Sequence, residues 1–307
     1  MPTAIIIGGT GLIGQELINT LLDDGYEVKV LSRSKSKADK IFGGKVAPVE
    51  WSGKNHEELA SIINDCDVIV NLAGHTVAVP WTKSNKNKIW NSRINTTEII
   101  ANAINNCNNP PKVFIQASAV GYYSHNSLEL LTENSPKGAG FLSNLTDEWE
   151  QQALKCESKT RVVLIRTGIV LSNKGGFLSK ILSPIKYFAG TILGSGKQII
   201  PWIHIKDHMS AIVLLINTEN AEGAFNLVSP NPTSLSKITK TVGKTVNRPV
   251  FLRIPASLLR LALGDMAKET LLASQTVKPK KLEELGFEWR FADIEDTLEN
   301  LLSRNNP

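Results

Sequence analysis

The sequence predicts an α/β fold with a doubly wound parallel sheet over roughly its first 170 residues. Two observations carry that expectation. Short apolar, β-rich runs alternate with helix-like stretches, as strands joined by helical crossovers require. The runs are also continuous rather than alternating, as in strands covered on both faces. The strand-like runs are Ala4–Ile7, Glu27–Leu31, Val46–Glu50, Asp67–Asn71, Val113–Ala117 and Arg161–Arg166. Between them lie helix-like stretches at Leu12–Asp23, His56–Asn64, Asn85–Asn106 and Gly140–Glu157. The asparagines of 85–109 do not break the helical period of the apolar residues there.

After Leu171 the pattern loosens into a smaller, mixed α/β substrate-side region. Gly175-Gly176 opens a helical stretch, and Gly190 to Gly196 reads as glycine-punctuated loop. One late strand, Ala224 to Val228, ends at Ser229-Pro230. Helices follow near Ser234–Thr245, Pro255–Leu263 and Lys280–Glu284. Ser257, Leu258, Leu261 and Ala262 share a helical spacing that a core-facing stripe explains. The expected division is 1–170 and 171–307, interleaved through the late strand near Asn226.

Composition narrows the function. The 307 residues carry 21% charged and 42% hydrophobic side chains, an ordinary globular balance. The longest aliphatic run, Ala211 to Ile216, is far short of a spanning helix, so no membrane partner is expected. The start, Met-Pro-Thr, runs straight into a strand and predicts no signal peptide. Cys66, Cys107 and Cys156 form neither a disulfide framework nor a zinc spacing, which suits a cytoplasmic protein. No His/Cys/Asp/Glu cluster has metal-ligand spacing. The net charge of +5 is mild, and no arginine stripe marks a nucleic-acid surface.

The first strand is followed by Gly8-Gly9-Thr10-Gly11-Leu12-Ile13-Gly14. Gly8 permits a tight turn, Gly11 a close approach to pyrophosphate, and Gly14 helix packing. The helix beginning at Leu12 offers free N–H groups to phosphate. This predicts a dinucleotide site that includes Thr10, Leu12 and Ile13. NAD-specific sites place an acid about 20 residues after the loop to hold the ribose 2′-hydroxyl. Here the second strand ends Val30-Leu31-Ser32-Arg33-Ser34, with no acid. Arg33 and Ser32 suit a 2′-phosphate instead, so the expected cofactor is NADP (NADPH).

Further motifs fall in order: Asn71-Leu72-Ala73-Gly74, Ser92-Arg93, Ser118-Ala119-Val120-Gly121-Tyr122-Tyr123, Trp149-Glu150, Pro201-Trp202-Ile203-His204-Ile205 and Leu282-Glu283-Glu284-Leu285-Gly286-Phe287. With the glycine spacing, they resemble the extended short-chain dehydrogenase/reductases. More narrowly, they resemble an atypical sugar-nucleotide epimerase-like branch with a C-terminal domain of unknown function. The resemblance covers nearly the whole chain. It implies a Rossmann-type core, Leu72, Ala73 and Gly74 beside the cofactor, and Ser118 in the place of the catalytic serine.

The resemblance also exposes a gap. The superfamily's Tyr and Lys, four residues apart on one helix, are replaced by Phe141 and Leu145. Arg93 stands where extended members usually carry Asn, and could hold a phosphate or a substrate carboxylate. Tyr122 and Tyr123 are candidate substitutes for the missing acid–base group. Glu150 is a further candidate substitute, set about two and a half turns beyond Phe141 and so off that register; the alternative is a solvated Glu150 beside a core Trp149. His75, Trp202 and His204 are candidate substrate contacts; His204 could titrate near neutrality or be structural. Asp207 reads as the cap of a helix starting near Lys206.

These readings converge on an NADP-binding oxidoreductase or epimerase-like protein. Its expected partner is a small polar, possibly nucleotide-linked substrate, and the chain would be a monomer or homodimer. The alternative that stays open is a non-catalytic NADPH-binding sensor or scaffold, motivated by the missing Tyr–Lys pair.

Overall fold

The computed structural model describes residues 1–303. In chain order the elements begin β1 (Thr3–Ile7), α1 (Leu12–Asp23), β2 (Glu27–Ser32), α2 (Lys35–Phe42), β3 (Ala47–Glu50), α3 (His56–Ile63), β4 (Val68–Asn71), α4 (Lys83–Asn105) and β5 (Val113–Ala119). A 3-10 turn at Val120–Tyr122 leads to β6 (Asn126–Leu131), α5 (Phe141–Leu154), β7 (Arg161–Thr167), β8 (Ile169–Ser172), α6 (Gly176–Lys186), β9 (Gly190–Leu193), β10 (Ile199–Ile200), β11 (Trp202–His204), α7 (Ile205–Asn217) and β12 (Gly223–Leu227). The chain closes with β13 (Thr233–Ser234), α8 (Leu235–Thr245), β14 (Val250–Ile254), α9 (Ala256–Leu263), a π-helical turn at Ala267–Leu271, β15 (Ser274–Val277), α10 (Lys280–Glu284) and α11 (Ile294–Leu302).

A seven-stranded sheet runs in the order β12-β7-β5-β4-β1-β2-β3. The pairings from β3 to β5 are parallel. The chain winds outward from β1 in both directions, so the strand order reverses between β1 and β4, where such sheets place a ligand crevice. The register aligns Ile7 with Asn71 and Asn71 with Gln116. Gly8 and Leu72 therefore follow β1 and β4 at one edge, level with Ala117-Ser118 near the end of β5. Short linkers and buried Val/Ile strands drive this winding: residues 4–7 and 68–70 are all buried.

The described chain forms two compact units and crosses between them five times. The first comprises Met1–Ser118, Leu145–Ile165 and Met209–Ala224. Its core packs Ile5, Ile69, Phe114 and Leu164 against Leu59, Ile100 and Ala153. The second comprises Ala119–Asn144, Arg166–His208 and Phe225 onward. It holds four two-stranded pairings: β10 with β13, β11 with β8, β14 with β9 and β15 with β6.

Several expectations are corrected. The glycine-rich stretch 190–196 is not all loop, because Gly190–Leu193 pairs with β14 as a parallel strand. There Gly190 lets the two backbones close: a Cβ would lie 2.7 Å from the Pro249 carbonyl oxygen. The stripe Ser257, Leu258, Leu261 and Ala262 faces outward, with Leu261 85% exposed, and α9 buries only Leu259. Asp207 is no cap. It lies inside the first turn of α7, where its carboxylate accepts the Arg290 and Phe291 N–H groups at 3.1 and 2.9 Å. Burial raises its pKa above the usual carboxylate range.

Candidate functional site

The site is built first by the glycine loop. Gly8 has φ +81°, and a Cβ there would lie 2.7–2.9 Å from the backbone of Leu72 and Ala73. Only glycine lets β1 turn this close to the end of β4. Gly14 packs α1 onto the loop, since its Cβ would strike Gly9 Cα at 2.6 Å. Gln15 closes the turn by donating its side-chain amide to the Thr10 carbonyl at 2.9 Å. Gly11 is the exposed N-cap of α1 and carries no capping side chain. The first-turn amides of Leu12 and Ile13 are thereby left for an external acceptor, which fits a phosphate.

At the end of β2 the Ser32 hydroxyl donates to the Ser34 carbonyl at 3.1 Å and accepts the Ser34 N–H at 3.2 Å. This small turn holds Arg33 outward, exposed and without an ion pair among the described residues. The residues that end β2 include no carboxylate, while Glu50 ends the neighbouring β3 level with Ser32. The residues present therefore fit a phosphorylated ribose better than a bare 2′-hydroxyl.

A buried polar network braces β4 against β5. Asn71 donates its side-chain amide to Gln116 Oε1 at 2.9 Å and to Thr97 Oγ1 at 3.1 Å. Its carbonyl oxygen accepts the Ala73 N–H at 3.1 Å, shaping Leu72-Ala73-Gly74. Trp149 donates its indole N–H to Thr97 Oγ1 at 2.8 Å and so ties α5 to α4. Polar groups buried this deeply persist only when bonded, and each of these is. The sequence motif marks Asn71 beside the cofactor, but not the bracing by Thr97, Gln116 and Trp149. The legible signal is an Asn that closes β4 and a Gln that interrupts the apolar run of β5.

Arg93 packs against Gly74, where a Cβ would lie 3.0 Å from its guanidinium carbon. It donates to the His75 carbonyl at 2.9 Å and to the Ile89 carbonyl at 3.2 Å, and lies 5.0 Å over the Trp149 ring. Burial lowers its pKa to about 10. No carboxylate pairs with it among the described residues, so the charge is available to an anion. Ser92 accepts the His75 N–H at 2.9 Å. Ser92-Arg93 thus clamp the Gly74-His75 loop from both backbone sides, and His75 is half-buried there.

Ser118 ends the first unit's stretch of β5 with 5% of its surface exposed. Its hydroxyl donates to Glu150 Oε1 at 2.5 Å. Glu150 is 4% exposed, which corrects the solvated reading. Trp149 is pinned to Thr97, and the next residue along α5 is thereby turned inward. Leu145, in the expected lysine slot, is buried core.

The remaining candidates lie in the second unit. Tyr123 is 1% exposed; its hydroxyl donates to Asn226 Oδ1 at 2.7 Å and accepts from Arg166 at 3.0 Å. Burial pushes that hydroxyl up to about 12, and its bonds go to protein groups. Tyr122 packs its ring face 3.5 Å from the Arg166 guanidinium. Trp202 and His204 are fully buried on β11, which removes both from direct substrate contact. His204 Nδ1 accepts the Lys206 N–H at 3.0 Å, its Nε2 faces Asn300 Oδ1 at 3.3 Å, and its ring stacks on Phe291. Burial lowers its pKa to about 4, so it is neutral at physiological pH. Phe141 is half-buried at the start of α5, where the Glu269 carboxylate accepts the N–H groups of Phe141 and Leu142.

A cavity of about 480 Å³ opens at the opposite, amino-terminal ends of the strands, beside Pro2, Asp67, Lys112 and Arg161. Its charges are already engaged. Lys112 pairs with Asp67 at 2.8 Å, and Arg161 donates to the carbonyls of Leu215, Ile216 and Ala221. Among the described residues no group of three or more His, Cys, Asp or Glu is placed to hold a metal ion. No helix among them is long and apolar enough to cross a membrane.

Comparison with known proteins agrees with this geometry. Residues 4–227 match the NAD dependent epimerase/dehydratase family, and residues 254–301 match a domain of unknown function, DUF1731. An epimerase family protein of Staphylococcus haemolyticus is 37% identical over 98% of this chain and 99% of its own length. The chloroplastic epimerase family protein SDR39U1 homolog of Arabidopsis thaliana is 35% identical over 98% and 86%. The crystal structure of human epimerase family protein SDR39U1 with NADPH superposes with a TM-score of 0.88. It is 29% identical and covers 98% of this chain and 99% of that one.

Proposed function

The chain belongs to the NAD dependent epimerase/dehydratase family, and from that premise we propose that it is an NADP(H)-dependent oxidoreductase or epimerase acting on a small polar substrate. The observation that carries the reading is the Ser118 hydroxyl, fixed at the edge of β5 on a buried carboxylate. That edge is shared with the glycine loop. The backbone of Gly8 to Gly14 and the amides at the start of α1 would hold the pyrophosphate. Arg33 and Ser32 would take the 2′-phosphate, and Leu72, Ala73, Gly74 and Arg93 would line the remainder. The human relative's NADPH supports the choice of cofactor. The bound dinucleotide would supply hydride transfer; Ser118 would polarise the reacting carbonyl or hydroxyl.

The test is whether NADPH bound to the purified chain is oxidised by any member of a panel of carbonyl compounds and sugar nucleotides. For the member turned over, Ser118→Ala should lower kcat by about 100-fold, the scale of losing one aimed hydrogen-bond donor. Unchanged turnover removes Ser118 from the chemistry. A second reading, a non-catalytic NADPH-binding sensor or scaffold, is favoured by Phe141 and the buried Leu145 where a Tyr–Lys pair would stand. Tight NADPH binding with no oxidation across the panel selects that reading.

A further inference from the structure

A buried carboxylate is costly to keep, and Glu150 of α5 is buried with its oxygen on the hydroxyl proposed to meet the substrate. Its placement is over-determined. The Trp149 indole bond to Thr97, itself tied to Asn71 and Gln116, sets the turn of α5 that aims Glu150 at β5. Arg93 lies 5.0 Å over the Trp149 ring, and its bonds go to carbonyls. A tyrosine base needs a neighbouring lysine to bring its ordinary value of about 10 down toward neutrality. A carboxylate accepts a proton without a neighbouring lysine, so a Glu can serve where Lys is replaced by Leu145.

We propose that Glu150 is the proton store of the site, acting through Ser118, in place of the absent Tyr–Lys pair. The inference rests on the oxidoreductase reading above. In the oxidative direction the substrate hydroxyl proton passes to Ser118 Oγ as the Ser118 proton passes to Glu150 Oε1. The hydrogen on the adjacent carbon leaves with its electron pair to an oxidised nicotinamide dinucleotide. The carbon becomes a carbonyl, the dinucleotide is reduced, and one proton remains on Glu150. Reduction runs the same transfers backward. Glu150 is thus a positioning and relay residue, and Ser118 is the group that touches substrate.

The test uses cofactor affinity rather than turnover. A carboxylate one hydroxyl removed from the reacting centre favours the cationic, oxidised ring, so Glu150→Gln should shift the ratio of NADP+ to NADPH affinity toward NADPH by about tenfold. A merely structural Glu150 would weaken both forms together. A ratio within about twofold of the wild-type ratio, with both forms still bound, overturns the relay. The unmodified chain supplies a second measurement that needs no variant. Exchanging bound NADP+ for NADPH must change the number of protons held, measured by calorimetry in buffers of different ionisation enthalpy. No change at any pH from about 5 to 9 also overturns the relay. If the wild-type chain binds neither form, the oxidoreductase reading itself fails, and the relay falls with it for that separate reason.

Discussion

Acidification should destabilise the second unit through two buried histidines. His204 and His208 are both fully buried, and burial lowers their pKa values to about 4 and about 3. His204 Nδ1 already accepts the Lys206 N–H, so a proton there would displace a bond. In the unfolded chain both rings return to the ordinary value of 6.5. A folded value below the unfolded one means the stability is present above pH 6.5 and is lost as pH falls toward the folded values. At pH 5 the unfolded rings are almost fully protonated while the folded ones are almost fully neutral. Each then forfeits about 2 kcal/mol relative to pH 8, or about 4 kcal/mol together. Asp207, raised by burial, works in the opposite sense at the lower end of that window. The clean quantity is therefore a difference between chains. His208→Gln retains an amide opposite Thr167, the partner of His208 Nε2 at 3.0 Å, but cannot titrate. Its stability, from urea unfolding at pH 8 and pH 5 at fixed ionic strength, should fall by about 2 kcal/mol less than that of the wild type. PH dependences parallel to within about 0.5 kcal/mol would refute the reasoning.

Three further outcomes are expected. Trp149→Phe removes the indole bond to Thr97 and should lower stability by about 1–3 kcal/mol in denaturant unfolding; a loss under about 0.5 kcal/mol would show that the network does not brace α5. Gly8→Ala forces a Cβ onto the Leu72–Ala73 backbone at positive φ, so NADPH affinity should fall by about tenfold or more by fluorescence titration, and the melting temperature should drop. Leu258→Ser and Leu261→Ser, on the outward face of α9, should each change stability by no more than about 0.5 kcal/mol, since neither side chain is buried.

The parallel core was legible because its signals are local. Apolar runs buried on both faces, glycines at a strand–helix turn and a strand end without an acid can all be read within a few residues. The second unit was harder. Its strands are two to six residues long and pair in twos, so their order depends on partners distant in sequence, as β9 depends on β14. The apolar spacing of α9 is helical, yet periodicity identifies a face without saying what covers it. Glu150 stands off the register of a Tyr–Lys pair, so its spacing along the helix does not show that it turns inward. The side chain that reaches Ser118 comes from a different turn of α5, fixed by Trp149 through a buried Thr97 that lies 52 residues away. The candidate tyrosine at position 123 and the histidine at position 204 were plausible by residue type. Burial and bonded partners, which a linear sequence does not display, assign them to packing.

The most direct test of the account is the affinity of the purified chain for NADPH compared with NADH. With Arg33 exposed, without an ion pair among the described residues, and no acid in the residues ending β2, NADPH should bind at least about tenfold more tightly, with the preference fading as salt screens the arginine. Equal or tighter binding of NADH, or no binding of either, would contradict it.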